Sequence, residues 1–246
     1  MRIALMADIH ANREAFEACL RDARARGAER VVLLGDYVGY GADPVWVVDK
    51  IMELVAGGAI AVLGNHDLGI SESRESMNLD AETAIAWTRG QLGPAAREFL
   101  SHLPMKVEDE TRLYVHANAQ ADRRWTYVDG REPASRTLAG SPAQAVFCGH
   151  VHKPALYGIN ASAKLVAFQP VAGVAVPLPT HRRWLSVLGS VGQPRDRDPA
   201  SAYGLLDTGR NEITFLRVPY DVEAAVAKIR AAGLPEGLAV RLRKGN

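Results

Sequence analysis

Cross-linking chemistry is almost absent from this sequence. Its 246 residues contain two cysteines, Cys19 and Cys148. Two thiols make neither a disulfide framework nor a Cys-x-x-Cys metal pair, so both read as small apolar core residues in a protein of the reducing cytoplasm. Long apolar runs are missing too. Nothing approaches the ~20 consecutive apolar residues of a membrane-spanning helix. The stretch Met1-Arg2-Ile3-Ala4-Leu5-Met6-Ala7-Asp8 is too short an apolar run, and ends on an acid, so it does not read as a signal peptide. Nor is there an excess of charge of either sign. With 29 basic against 28 acidic residues the formal net charge is +1, so no global field marks a binder of long nucleic acids or of membrane surfaces. What is present is the composition of an ordinary globular enzyme, 48% apolar, with chain enough for one large domain read as spanning 1–246. No repeat, low-complexity tract or linker divides it.

Short apolar runs alternate with amphipathic stretches through the first 150 residues. Strands are expected at Ile3–Ala7, Val31–Leu34, Ala59–Leu63, Arg112–Val115 and Ala145–Cys148. Between them, Asn12 is placed to cap a helix over 13–26 that Gly27 ends. Asp43-Pro44, a cap followed by proline at the first helical position, should open a helix to Ala56. Further helices are expected near Asp80–Arg89 and Pro94–His102. This βαβ rhythm predicts a largely parallel sheet covered by helices. After residue 150 the texture changes to strands without intervening helices, at Ala155–Asn160, Lys164–Pro170, Trp184–Leu188, Ala202–Asp207 and Glu212–Val218, with a last helix after Asp221. That part predicts a second, mostly antiparallel sheet.

The polar residues fall in a pattern. Ile3–Ala7 runs into Asp8-Ile9-His10, and Val31–Leu34 into Gly35-Asp36. Ala59–Leu63 runs into Gly64-Asn65-His66-Asp67, Leu113–Val115 into His116, and Ala145–Cys148 into Gly149-His150-Val151-His152. Five expected strands thus deliver Asp, Asn or His at their carboxyl ends, the edge where open α/β sheets bind ligands. Five of the seven histidines lie in these blocks, which scatter would not produce. Imidazole, carboxylate and amide oxygen without thiolate suit borderline divalent ions such as Mn²⁺, Fe²⁺ or Zn²⁺. Two such ions repel each other, and a shared carboxylate, for which Asp36 is the natural choice, relieves the repulsion. A pair of cations supplies an activated water near neutral pH and neutralises charge developing on a phosphate.

Asp8-x-His10, Gly35-Asp36, Gly64-Asn65-His66-Asp67, His116 and Gly149-His150-x-His152 together resemble the calcineurin-like metallophosphoesterases. All five blocks occur in that family's order. Gly189-Ser190-Val191-Gly192-Gln193-Pro194-Arg195-Asp196 and Tyr220-Asp221 resemble a bacterial branch of it that contains phosphodiesterases and dinucleoside-polyphosphate hydrolases. The resemblance implies a four-layer α/β/β/α sandwich of two mixed sheets flanked by helices. It implies one metal on Asp8, His10, Asp36 and His152, and a second on Asp36, Asn65, His116 and His150. It implies that His66 contacts phosphate and protonates the leaving oxygen. The implied reaction is in-line attack of a metal-bridging hydroxide on a phosphodiester or nucleotide-type ester.

One block departs from the family's Ser/Thr protein phosphatases, where it continues Gly-Asp-x-x-Asp-Arg-Gly. Here it reads Gly35-Asp36-Tyr37-Val38-Gly39-Tyr40-Gly41. Gly39 stands where the histidine-orienting Asp would be, and Tyr40 where the phosphate-binding Arg would be. This counts against a phosphoprotein phosphatase and leaves a phosphomonoesterase as the second reading. Neutral charge counts against a nuclease. An intact ligand set counts against a non-catalytic scaffold of the same fold. Asn12, Tyr37, Tyr40 and Arg195 are candidates for the substrate side, Arg195 with an ion pair to Asp196 or Asp198 as its alternative use. The stretch 122–127, basic and aromatic, follows His116 closely enough to bind phosphates and a ring. Asp67 is expected to be a local hydrogen-bonding or capping residue. The expected partner is a small phosphate ester or nucleotide-like molecule rather than a membrane or nucleic acid, and a homo-oligomer is compatible with the sequence.

Overall fold

The structure, a computed structural model, describes residues 1–72 and 78–246. Its strands are β1 (Arg2–Met6), β2 (Arg30–Leu33), β3 (Ile60–Ala61), β4 (Lys106–Asp109), β5 (Arg112–Val115), β6 (Ala145–Cys148), β7 (Ala155–Asn160), β8 (Leu165–Phe168), β9 (Ala175–Pro177), β10 (Arg182–Val187), β11 (Ser201–Asp207) and β12 (Glu212–Val218). Its helices are α1 (Arg13–Ala25), α2 (Pro44–Ala56), α3 (Asn65–Ser71), α4 (Leu79–Gln91), α5 (Pro94–Ser101), α6 (Arg131–Ala139), α7 (Val222–Ala231) and α8 (Glu236–Lys244). Among the described residues no helix is long and apolar enough to cross a membrane.

The strands form two six-stranded sheets, in the orders β3-β2-β1-β11-β12-β9 and β4-β5-β6-β10-β7-β8. Each contains a parallel trio, β1-β2-β3 or β5-β6-β10, completed by antiparallel neighbours. This corrects the expectation of one parallel sheet from the first part of the chain and one antiparallel sheet from the rest. β11 and β12 return to close the first sheet beside β1, whereas β5 and β6 leave it and join the second.

Alternation along the strands sorts side chains into layers. Ile3, Leu5 and Ala7 point between the sheets, where they meet Tyr114, Phe147, Leu156 and Trp184. Ala4 and Met6 point the other way, onto Phe16 and Cys19 of α1 and Val47, Val48 and Ile51 of α2. On the far side, Leu113, Val115, Val146 and Cys148 pack on Ala134 and Leu138 of α6. These contacts are the four layers of an α/β/β/α sandwich. Each fully buried large side chain here contributes about 1.5–3 kcal/mol relative to exposure. A further cluster joins Ala81 and Ala84 of α4 to Ala225, Ile229, Leu238 and Leu242 of α7 and α8, with Tyr40 among them.

The structure adds β4, β9, α6 and α8 to the expected elements and changes the reading at the start of two helices. Asp43 precedes α2 but makes no side-chain cap; its carboxylate lies 2.8 Å from Lys228 Nζ. The segment 65–71, to which no element was assigned, is the short helix α3, whose Leu68 N–H donates to the Gly64 carbonyl.

Candidate metal centre

Parallel pairing brings the polar blocks together. Leu34 N–H donates to Met6 O, Asp8 N–H to Gly35 O and His10 N–H to Asp36 O, so the loops after β1 and β2 leave the first sheet side by side. Gly149 N–H donates to His116 O, which does the same for β5 and β6 of the second sheet. The loop after β10 stitches the two sheets: Val191 and Gly192 N–H donate to Ala7 O and Asp8 O, and Ser190 Oγ donates to Asp8 O at 2.7 Å. The five strand ends thus come from both sheets, and the site lies where their carboxyl edges meet.

The backbone here is strained. Asp8, His10, Asp36, His150 and His152 all sit at positive φ, between 49° and 67°. Non-glycine residues in that region cost about 1–3 kcal/mol each and persist only where the surroundings hold them. Ala11 and Tyr40 in the same loops share this conformation, at φ 49° and 64°, so the strain is gathered in the turns that present the candidate ligands. The Asp36 loop is held by Asp67, whose carboxylate accepts from the N–H groups of Asp36 (2.8 Å), Tyr37 (2.8 Å), Val38 (3.3 Å) and Gly64 (3.0 Å). The expected local role of Asp67 is thereby borne out. Gly64 packs so closely that a Cβ there would run into the backbone nitrogen of Asp36.

The side chains converge in two groups around Asp36. Asp8, His10 and His152 form one, with His152 Nε2 3.5 Å from Asp8 Oδ1 and 3.2 Å from His10 Nε2. Asp36, His116 and His150 form the other, with His116 Nε2 3.1 Å from both His150 Nδ1 and Asn65 Oδ1. Asp36 Oδ2 lies 3.8 Å from His10 Nε2 and 3.4 Å from His116 Nε2, between the groups. His66 Nε2 is 4.0 Å from the same oxygen, so distance alone also groups His66 with His10 and Asp36.

Three imidazoles are oriented from behind. His10 Nδ1 donates to Val38 O (3.1 Å), His116 Nδ1 to Leu34 O (2.7 Å) and His152 Nδ1 to Gln193 O (2.6 Å). When Nδ1 carries the proton, Nε2 presents a lone pair, as metal-binding histidines do. His10 and His152 therefore face each other with two lone pairs 3.2 Å apart. Two acceptors in contact repel unless a cation lies against both. The donor set fits a divalent ion on that ground.

Burial shapes the electrostatics. It lowers His10 and His152 well below the usual histidine range, helped by Arg195 and, for His10, by His66. Both are neutral, the form a metal needs. Burial opposes ionisation of Asp36 as well, but His116, His66 and His10 around it hold its carboxyl well below the usual range. His116 runs the other way: burial pulls it down, and Asp36 and Asp8 outweigh that and take it up to about 9. A cation held beside the carboxylates would meet the same demand for positive charge and leave His116 Nε2 its lone pair. Burial, with Asp36, raises Asp8 to about 7.

Of the substrate-side candidates, the structure brings two to the site. Tyr40 lies 4.6 Å from His10 and 4.5 Å from His66, ring to ring. Arg195 lies over Tyr40, its guanidinium carbon 5.7 Å from the ring centre. Its alternative ion pair does not form, because Asp196 and Asp198 both pair with Arg217. Tyr37 is a correction. It is wholly buried, with its hydroxyl 2.9 and 2.7 Å from the carbonyls of Leu33 and Val62, and belongs to the core beneath the site. Asn12 is used by the fold: its Oδ1 caps α1 at Ala15 N–H, and its Nδ2 donates to Gly192 O and the Tyr220 hydroxyl.

The stretch 122–127 does lie over the site, through its aromatics. Tyr127 stacks on His150 at 4.1 Å and 16°, and Trp125 meets His116 edge-on at 5.6 Å. Its arginines are engaged elsewhere, Arg123 with Glu72 and Arg124 with Asp122. Gln193 was not singled out. Its carbonyl orients His152 and its Oε1 accepts from Arg195 at 2.9 Å. No residue type or spacing announces this role, since it depends on where the loop after β10 crosses.

Over residues 1–211 the chain matches the family model of the calcineurin-like phosphoesterase superfamily domain. It is 33% identical to an uncharacterized protein of Methanocaldococcus jannaschii, over 99% of this chain and 98% of that one. Among solved structures it resembles a metallophosphoesterase from Sphaerobacter thermophilus, at 32% identity and a TM-score of 0.88, covering 100% of this chain and 99% of the other. A hypothetical protein from Pyrococcus horikoshii shares the fold at 19% identity and a TM-score of 0.78, over 100% of this chain and 98% of its own.

Proposed function

Because this chain belongs to the calcineurin-like phosphoesterase superfamily, we propose that it hydrolyses a phosphodiester or nucleotide-type phosphate ester at a site for two divalent cations. The observation that carries the reading is the facing lone pairs of His10 and His152, matched across Asp36 by the convergence of His116, His150 and Asn65. Asp8, His10, Asp36 and His152 would hold one ion; Asp36, Asn65, His116 and His150 would hold the other. Nitrogen and oxygen donors without thiolate suit Mn²⁺, Fe²⁺ or Zn²⁺. Bound there, such ions would lower the pKa of a shared water towards neutrality and offset charge on the phosphoryl oxygens.

The chain's own residues supply the rest. Asp67 locks the loop that presents Asp36, and the carbonyls of Val38, Leu34 and Gln193 fix three imidazole planes. His66 is the candidate proton donor to the leaving oxygen. Burial lowers its pKa, with His116 and Arg195 adding to this, while Asp36 pulls the other way. A bound phosphate anion beside it would add to that upward pull, so protonation is coupled to substrate binding. His66 Nδ1 has no hydrogen-bond partner among the described residues, and it lies against Gly39, where a Cβ would collide with it. Here the ring is positioned by packing against Tyr40 and His10 instead of by a carboxylate.

The test is hydrolysis of bis-p-nitrophenyl phosphate and of p-nitrophenyl phosphate, with Mn²⁺ and then with EDTA. Metal-dependent cleavage that favours the diester supports the reading as stated. A preference for the monoester moves it to a phosphomonoesterase. Equal rates with and without EDTA would refute the dependence on metal.

A further inference from the structure

Arg195 differs from the other arginines around the site in what balances its charge. Arg123, Arg124 and Arg217 each pair with a carboxylate. Among the described residues no carboxylate pairs with Arg195, because its sequence neighbours Asp196 and Asp198 are both turned to Arg217. Its partners are neutral. Nε and Nη2 donate to Gln193 Oε1 at 3.3 and 2.9 Å, and Nη2 reaches the Tyr40 hydroxyl at 3.5 Å. Tyr40 also lies beneath the guanidinium plane. The side chain is partly buried, and its backbone N–H donates to the carbonyl of His152, a candidate ligand, at 3.2 Å.

These contacts fix the fork and leave its charge standing; among the described residues they use Nε and Nη2 and not Nη1. The charge is felt at Asp8, His10, His66 and His152. Placing an unbalanced cation beside a site for two more cations is unfavourable on its own. An anion that carries more than one charge, bound between them, reverses the sign. Fork-shaped recognition of phosphate oxygens is what a rigid guanidinium does best.

Resting on the phosphoesterase reading above, we infer that Arg195 is the specificity-determining residue for phosphate charge. It takes a non-bridging oxygen of a doubly charged phosphate, the kind found at a terminal monoester or at the end of a polyphosphate chain. A singly charged diester offers it less, since esterification removes both a charge and an oxygen.

The experiment compares Arg195→Gln and Arg195→Lys with the unaltered enzyme, all loaded with Mn²⁺. It measures kcat/KM on p-nitrophenyl phosphate and on bis-p-nitrophenyl phosphate, the affinity for inorganic phosphate by calorimetry, metal content and Tm. Arg195→Gln should lower monoester kcat/KM by about 10- to 100-fold, as for loss of a charge-assisted hydrogen bond, and the diester value by about 5-fold at most. Phosphate affinity should fall about 10-fold with metal content unchanged, and Arg195→Lys should recover part of both losses. Equal losses on the two esters, with phosphate affinity unmoved, would overturn the inference and make Arg195 a structural residue. If the unaltered enzyme cleaves neither ester, the phosphoesterase reading fails. The phosphate affinities then still decide whether Arg195 binds the anion.

Discussion

The two walls of the site differ in kind. One is built by Tyr40 and Arg195 beside Asp8, His10 and His152, and it is cationic. The other is built by Trp125 and Tyr127 beside His116 and His150, and it is aromatic, with its arginines neutralised. On the first side the candidate ligands are buried to 2% exposure or less; on the second, Asn65 is partly exposed and Tyr127 is 49% exposed. A phosphate ester has the same asymmetry, an anionic centre and an organic group. The buried wall suits the charge and the open wall suits the organic group. Predictions that strike both walls should have the largest effects, and those that strike the open wall alone the smallest.

Asp36 serves both sides. Asp36→Asn keeps the shape and removes the shared charge, so hydrolysis should fall about a thousandfold or more, the equivalent of several kcal/mol of lost charge stabilisation. Circular dichroism should show an unchanged fold, and a variant with near-normal turnover would disprove the shared-carboxylate assignment. Removing one wall's ligand should separate the two. His152→Ala, on the buried side, should leave about one metal per chain, retained by the His116 group, and His150→Ala should leave about one on the other. Elemental analysis after dialysis reads this, and loss of both ions in each variant would show a single cooperative centre instead of two. His66→Ala should lower kcat by about 10²–10⁴-fold, the usual range for a positioned general acid, with both ions kept. A loss of metal in that variant would make His66 a ligand, which its distance from Asp36 permits.

The walls also differ in how readable they were. Asp8, His10, Asp36, Asn65, His116, His150 and His152 stand at strand ends, where residue type and local position together announce them. β5, β6 and β7 coincide with the expected ranges for the same reason: their apolar runs are bounded by turn residues on both sides. Sheet membership was not readable, because β11 joins β1 across some two hundred residues and no local period encodes that pairing. Tyr37 and Tyr40 show the limit at the site itself. Both follow Asp36 and look alike in sequence, yet Tyr37 turns into the core and Tyr40 into the site, since the chain reverses at Gly39 with φ +82°. The strand Lys106–Asp109 carries little apolar signal, because Val107 is its one apolar residue beside Lys106, Glu108 and Asp109.

That turn offers a smaller test of the buried wall. Gly39→Ala puts a Cβ where His66 Nδ1 lies and demands a positive φ of alanine. We expect a loss of about 1–2 kcal/mol in stability by chemical denaturation, with kcat reduced and the metal content kept. Unchanged kcat would mean that the exact seat of His66 matters little.

The least disruptive change falls on the open wall. Tyr127 has one face on His150 and the rest of its ring toward solvent, so it is free to stack on an organic group. An aromatic–base stack is worth about 1–3 kcal/mol, and an edge open to water should realise the lower part of that range. Tyr127→Ala should therefore raise KM about 5- to 10-fold for esters that carry an aromatic ring, leave kcat within about twofold, and leave KM for a small alkyl phosphate unchanged. The contrast between the two substrates is the informative quantity, because loss of support for His150 would lower kcat for both alike. If KM rises equally for the ring-bearing and the alkyl ester, the aromatic wall only steadies a ligand and the organic group lies elsewhere.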